Sequence, residues 1–236
     1  MASINPLLVF DLDGTLADTA DDLVATLNVI LAREGAPPVA SAAARNMVGM
    51  GARKLIVEGF AADGRSLSPE RLEELFVEYL DIYEKNIAVH SRLFPGVLAS
   101  LDRFSAAGFS FAVCTNKSER PARKLMDELG VSGRFRAICG QDTFAWSKPD
   151  ARALLSTIEK SGGDPAHAVM IGDSRTDIST ARNARMPVVA VDFGYTDIPV
   201  HDLNPDRVIS HFDELWTAVA DLYPRAARQQ GVTPRA

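Results

Sequence analysis

The sequence offers little for thiolate or disulfide chemistry: only two cysteines, Cys114 and Cys139, and four histidines stand in 236 residues. Two thiols build no disulfide framework and are too few for a structural zinc site, so buried packing is their expected role. No apolar run approaches the roughly 20 residues that a membrane-spanning helix needs. Only Met1 to Pro6 precede the first apolar run, which leaves no room for a signal peptide, and the expected compartment is the cytoplasm. Positive charge is not in excess either. Lys and Arg number 25 against 31 Asp and Glu, the net charge is −6, and the basic residues are scattered. Such a balance gives no long-range attraction to nucleic acid or anionic membranes, so small molecules are the expected partners. There is no internal repeat or low-complexity segment, and the oligomeric state stays open between monomer and homodimer.

What is present is enough apolar material, 47% of the chain, to close a sizeable core. Short apolar runs of strand length fall at residues 7–10, 109–114, 137–139, 168–171 and 188–191, alternating with helical patterns. Runs of this kind suit strands buried on both faces, so the expected fold is α/β, a doubly wound parallel sheet. Helices are expected near 96–107, 119–129, 150–160, 174–184 and 212–222. Almost a hundred residues separate the first two runs, far more than one crossover needs. The excess reads as an all-helical insertion. One helix runs from Asp18 with Leu23, Leu27, Ile30 and Leu31 at helical spacing and stops at Gly35, ahead of Pro37 and Pro38. Another starts at the N-cap Ser68 with Pro69 at its first position and carries the stripe Leu72, Leu75, Phe76, Tyr79, Leu80 and Tyr83. Between them Gly49-Met50-Gly51 reads as a tight turn joining two shorter helices. The expected division is therefore a main domain at 1–16 and 92–223, an inserted helical domain at 17–91, and a solvated tail at 224–236.

Ligands of an open parallel sheet gather outside the carboxyl ends of its strands. The residues there are Asp11-Leu12-Asp13-Gly14-Thr15, Thr115-Asn116-Lys117 and Gly172-Asp173-Ser174-Arg175-Thr176-Asp177, with Lys148 ahead of Pro149. Asp11 and Asp13, two apart, project toward one face if extended geometry persists. With Asp173 they form an oxygen-only donor set suited to Mg²⁺, where zinc would want His or Cys. Crowded carboxylates repel one another, so a cation there, assisted by Lys148, is a physical requirement.

These residues resemble, in order and spacing, the four motifs of the haloacid dehalogenase superfamily: the Asp11-to-Thr15 run, Thr115, Lys148, and Gly172-Asp173 with Asp177. The resemblance spans the whole chain and implies a Rossmann-like core with a helical cap. It implies a phosphatase in which Asp11 forms an aspartyl-phosphate and Asp13 serves as general acid and base, with Mg²⁺ held by Asp11, Asp173 and the Asp13 backbone carbonyl. Thr115, Asn116 and backbone amides around Leu12 would bind the phosphoryl oxygens, and Gly14 would let the backbone approach. Asp177 would orient Lys148 or metal-bound water, or simply sit as a carboxylate at a helix start.

Within that superfamily, Val48-Gly49-Met50-Gly51-Ala52-Arg53-Lys54-Leu55, Thr115-Asn116-Lys117, Gly172-Asp173-Ser174 and Phe193-Gly194-Tyr195-Thr196 resemble bacterial phosphoglycolate phosphatases. A small phosphate ester, 2-phosphoglycolate, is then the expected substrate. Gly49, Gly51 and Arg53 would lie at the substrate, Arg53 pairing with its carboxylate. Lys54 leaves room for a phosphonoacetaldehyde hydrolase using a Schiff base, and a sugar phosphomutase or a silent phosphate-binding scaffold are further alternatives. Cys114 and Arg120 match the cysteine, five residues, arginine spacing of thiol-based phosphatases. The segment has no glycine to shape a cradle and Cys114 ends an apolar run, so that reading is rejected. His90, His167, His201 and His211 fall outside every motif, which disfavours a histidine nucleophile.

Overall fold

A computed structural model describes residues 6–41, 47–49, 51–196 and 198–222. Residues 42–46 and Met50 of the expected glycine turn, and the expected tail at 224–236, lie outside these.

Strands β1 (Leu7–Phe10), β4 (Ser110–Cys114), β5 (Ala137–Cys139), β6 (Ala168–Gly172), β7 (Val188–Val191) and β8 (Arg207–Ile209) form one sheet in the order β5-β4-β1-β6-β7-β8. Every pairing is parallel, with Phe10 opposite Val113 on one side and Ile171 on the other. Strand β1 is hydrophobic throughout because both its faces are covered: Leu8 and Phe10 enter one cluster, Leu7 and Val9 the other. The chain first winds outward from β1 through β4 to β5, then crosses back to β6 and winds the other way. The topological switch point therefore falls at β1, where the carboxyl ends diverge and leave a crevice. Strand β8 was not expected, since its three residues include the exposed Arg207 at the sheet edge. The short ribbon β2 (Ala17–Asp18) with β3 (Arg92–Leu93) was also not expected; it zips together the outgoing and returning chains of the insertion.

Three helices of the insertion, α1 (Ala20–Arg33), α2 (Ala52–Ala61) and α3 (Pro69–Lys85), pack on one another. The caps behave as the sequence predicts: Ser68 Oγ accepts from the Arg71 amide at 3.2 Å, and Pro69 occupies the first turn. Leu23, Leu27, Ile30 and Leu31 of α1 and Leu75, Phe76, Tyr79 and Tyr83 of α3 are buried as the stripes require. Tyr79 donates its hydroxyl to the Leu23 carbonyl at 2.9 Å, so the polar end of a buried ring is satisfied within the insertion. Both hinge strands are anchored as well. Asp22, buried, accepts from the amides of His90 and Ser91 and from the Ser91 hydroxyl, fixing α1 to the returning chain. No helix among the described residues is long and apolar enough to cross a membrane.

Candidate active site

Asp11 is placed by the ladder itself. Its amide donates to the Ile171 carbonyl at 2.9 Å, extending the β1–β6 pairing one residue past the strand and fixing the carboxylate at the switch point. Lys148 Nζ lies 2.9 Å from Asp11 Oδ1 and 2.5 Å from Asp177 Oδ1. The buried Asp11 Oδ1 thus has the Lys148 ammonium as its charged partner. Burial raises the Asp11 pKa to about 6; the Lys148 charge opposes that rise, while Asp177 and Asp13 add to it. Burial works against the Lys148 ammonium, but the charges of Asp11 and Asp177 outweigh it and hold its pKa above the ordinary lysine value.

Asp177 contacts both Lys148 and a helix start. Its Oδ1 binds Lys148, and its Oδ2 accepts from the amides of Asp173 and Ser174 and from the Ser174 hydroxyl, closing a capping box on the helix Arg175–Asn183. Asp173 is 1% exposed, accepts from Thr15 Oγ1 at 2.9 Å and from the Tyr195 amide at 2.6 Å, and burial pushes its pKa well up. Gly14 sits against it with φ +85°; a Cβ there would meet Asp173 Oδ2 at 2.4 Å. Only glycine fits, through backbone conformation and contact together.

The carboxylates of Asp11, Asp173 and Asp177 come within 4.8 Å of one another. That set differs from the expected Asp11, Asp13 and Asp173. The Asp13 side chain turns away, because Lys117 Nζ binds both its oxygens at 2.9 and 3.1 Å and Thr19 Oγ1 donates at 2.7 Å; only its backbone remains on the metal side of the expectation. Asp177 already holds four donors, so Asp11 and Asp173 retain the free acceptor capacity. Four carboxylates against the two ammonium groups of Lys117 and Lys148 leave a formal charge of −2 in this cluster. With a net negative charge, buried carboxylates that converge and oxygen-only donors, the residues fit a hard divalent cation.

Thr115, 4% exposed, and Asn116 follow β4 and line the same cleft, which opens to solvent. Asn116 Nδ2 donates to the Lys148 carbonyl at 3.0 Å, which ties the β4 loop to the lysine loop, while its buried Oδ1 has no partner. Leu12 was named only for its neighbouring amides, and its side chain belongs to the core. Gly49 and Gly51 both line the cleft, and a Cβ on Gly49 would strike the Tyr195 carbonyl at 2.3 Å. Arg53 is not brought to the cleft. Its guanidinium pairs with Glu73 at 2.7 and 2.9 Å and stacks 3.6 Å from the Phe76 ring centre, because the first turn of α2 faces α3 across the outer surface. Lys54 likewise pairs outward with Glu58 at 2.5 Å. Arg120 binds Glu84 on the surface and Cys114 is buried, so the two share no anion site.

Sequence reasoning assigned no role to four contributors. Thr15 and Lys117 lie inside quoted motifs, but their partners, Asp173 and Asp13, are 158 and 104 residues away. Thr19 gives up its own helix-capping bond to reach Asp13. Tyr195 joins the site to the hinge: its amide holds Asp173, and its hydroxyl accepts from the Thr19 and Ala20 amides and donates to Asp18 Oδ1.

A doubly wound sheet with buried carboxylates and a buried lysine at its switch point defines an α/β protein built to neutralise charge at one rim. The chain belongs to the haloacid dehalogenase-like hydrolase family, whose model matches residues 8–191, and it is a phosphatase. It is 49% identical over 222 residues to a phosphoglycolate phosphatase of Mesorhizobium japonicum, covering 94% of this chain and 98% of that one. An N-acetylmuramic acid 6-phosphate phosphatase of Pseudomonas aeruginosa is 37% identical over 89% of this chain and 92% of its own. Among solved structures, a predicted phosphoglycolate phosphatase from Haemophilus somnus superposes with a TM-score of 0.84 at 26% identity, covering 93% of this chain and all of that one.

Proposed function

We propose that the protein hydrolyses 2-phosphoglycolate to glycolate and phosphate in a Mg²⁺-dependent reaction through an aspartyl-phosphate on Asp11. The observation that carries this reading is the placement of Asp11: at the switch point, lining the cleft, and beside a buried lysine whose other contact is already a carboxylate. That lysine keeps Asp11 anionic and therefore nucleophilic. Asp11 and Asp173, with the Asp13 backbone carbonyl, would hold the Mg²⁺, which supplies charge neutralisation for the phosphoryl group when bound. Asp11 attacks phosphorus and the ester oxygen departs. Asp13 gives that oxygen a proton, then takes one from the water that cleaves the phosphoenzyme. Thr115 and Asn116 steady the phosphoryl oxygens, the latter through an amide that also braces the Lys148 loop. Residues 17–91 act as a cap over a core of 1–16 and 92–223, and closure of the cap excludes water.

The similarity to phosphoglycolate phosphatases across nearly the whole chain supports the substrate. The test is kcat/KM with Mg²⁺ over a panel of 2-phosphoglycolate, N-acetylmuramic acid 6-phosphate, other sugar phosphates, nucleoside monophosphates and phosphonoacetaldehyde. 2-Phosphoglycolate is expected to lead by about 10²-fold, a margin that recognition of a second charged group can supply. Equal turnover of an uncharged ester would remove the substrate, and absence of turnover on every member would remove the reaction.

A further inference from the structure

An ester of glycolate carries two negative groups, and the second needs a partner in the cleft. Among the described residues lining the cleft, Lys117 is the only cation; Lys148 lies beneath its floor and Arg53 and Lys54 point outward. Its side chain is only 7% exposed, held between the Asp13 carboxylate and the ring of Tyr83, whose centre lies 4.4 Å from Nζ. An ammonium has three N–H donors, and the Asp13 oxygens engage two of them.

We infer that Lys117 is the specificity residue for the acid end of the substrate, a role that rests on the proposed reaction. The connection is chemical. In that reaction Asp13 must reach the ester oxygen, and in 2-phosphoglycolate this oxygen bears the carboxymethyl tail. The substrate carboxylate therefore comes to rest within a few bonds of Asp13, and Lys117 is the cation already bonded to Asp13. Opposite it stand Leu23, Leu55, Phe76, Leu80 and Tyr83, an apolar wall that offers a carboxylate nothing and lowers the local dielectric around the ammonium. A phosphate ester whose tail lacks an anion leaves Lys117 on Asp13. An acid-bearing tail accepts a charge-assisted bond from the third N–H of the ammonium, which stays on Asp13, and is selected by it.

The readout is a ratio, kcat/KM for 2-phosphoglycolate over that for ethyl phosphate, which has the same two-carbon tail without the acid. In Lys117→Gln and Lys117→Met the ratio is expected to fall about 10²-fold from its wild-type value, the loss typical when one partner of a desolvated charge pair is removed. Lys117→Arg is expected to restore part of it. Competitive inhibition by glycolate should weaken in parallel, and melting curves establish that the variants are folded. A wild-type ratio near one would sink the substrate reading itself. A high wild-type ratio that persists in both Lys117 variants, or that collapses in Arg53→Gln instead, would overturn the role of Lys117 and leave the reaction standing. So would an equal fall on both esters, which would assign Lys117 to Asp13 alone.

Discussion

The two walls of the cleft are made of different matter. On the core side, Asp11, Asp13, Asp173, Asp177, Lys117 and Lys148 are cross-linked through ion pairs and hydrogen bonds, each tied to a strand end or helix start. On the cap side, Leu23, Val48, Leu55, Phe76, Tyr79, Leu80 and Tyr83 present rings and aliphatic chains, and Arg53 and Lys54 pair with Glu73 and Glu58 of the cap on its outer surface. The difference teaches where rigidity is needed. Preorganised charge must not move during a reaction, whereas an apolar wall excludes water and tolerates adjustment. Two links join the walls, the β2–β3 ribbon and the Tyr195 hydroxyl at the start of α1, while the Asp22 contacts to residues 90 and 91 brace the returning chain of the cap.

The largest test of this contrast replaces one residue on each side. Asp11→Asn removes the proposed nucleophile and its charge while preserving shape, and kcat is expected to fall by about 10⁴-fold or more. Leu80→Ala alters only the apolar wall, and its effect should lie mainly in KM, within about 10-fold. A cap substitution that abolished turnover as fully as Asp11→Asn, in protein that still melts cooperatively, would break the distinction between the walls.

A smaller effect concerns what the crowded carboxylates cost the fold. For Asp11 the folded pKa of about 6 lies above the ordinary 3.8, so the folded state holds that proton more tightly. The resulting stability is fully present below pH 3.8 and is lost as pH rises through 6, an amount of up to about 3 kcal/mol. In chelator, the difference in stability between wild type and Asp11→Asn should therefore grow in favour of the variant from pH 4 to pH 7. Mg²⁺ should raise the melting temperature of wild type at pH 7.5 and do so much less at pH 5, where Asp11 is protonated and competes with the cation. A Mg²⁺ shift that is equal at both pH values would separate metal binding from Asp11.

The same contrast decides what could be read from the sequence. The apolar strands and their acidic ends were legible because burial on both faces writes a continuous hydrophobic run, and the polar residues that stop it stand out. The stripes of α1 and α3 were legible for a similar reason, and Ser68 with Pro69 marked a helix start locally. Arg53 was assigned to the substrate from its place beside a glycine turn, yet its direction is set by Glu73 on another helix, which spacing along the chain does not encode. Lys117 was quoted within a motif without a role for the complementary reason. Its meaning lies in Asp13 and Tyr83, which reach it only after the sheet has formed and the insertion has folded back. Strand β8 and the β2–β3 ribbon escaped because two or three residues carry no periodicity.

The smallest expected effect is at Cys114, which belongs to the core side yet takes no part in its charge network. It ends β4 at 3% exposure, one residue before Thr115, and burial lifts its thiol to a pKa of about 11. A thiol held that high is almost wholly protonated at neutral pH and is a poor nucleophile. The arginine at phosphatase-like spacing, Arg120, is spent on Glu84 at the protein surface. Cys114→Ala should therefore keep kcat within about 3-fold and lower stability by about 1 kcal/mol, the cost of removing one small buried atom from a packed strand. Folded wild-type protein should also resist iodoacetamide at pH 7.5 and be labelled only after unfolding. Rapid labelling of the native thiol with loss of turnover would place a reactive group beside Thr115, and the core wall would then contain a second nucleophile that its geometry now denies.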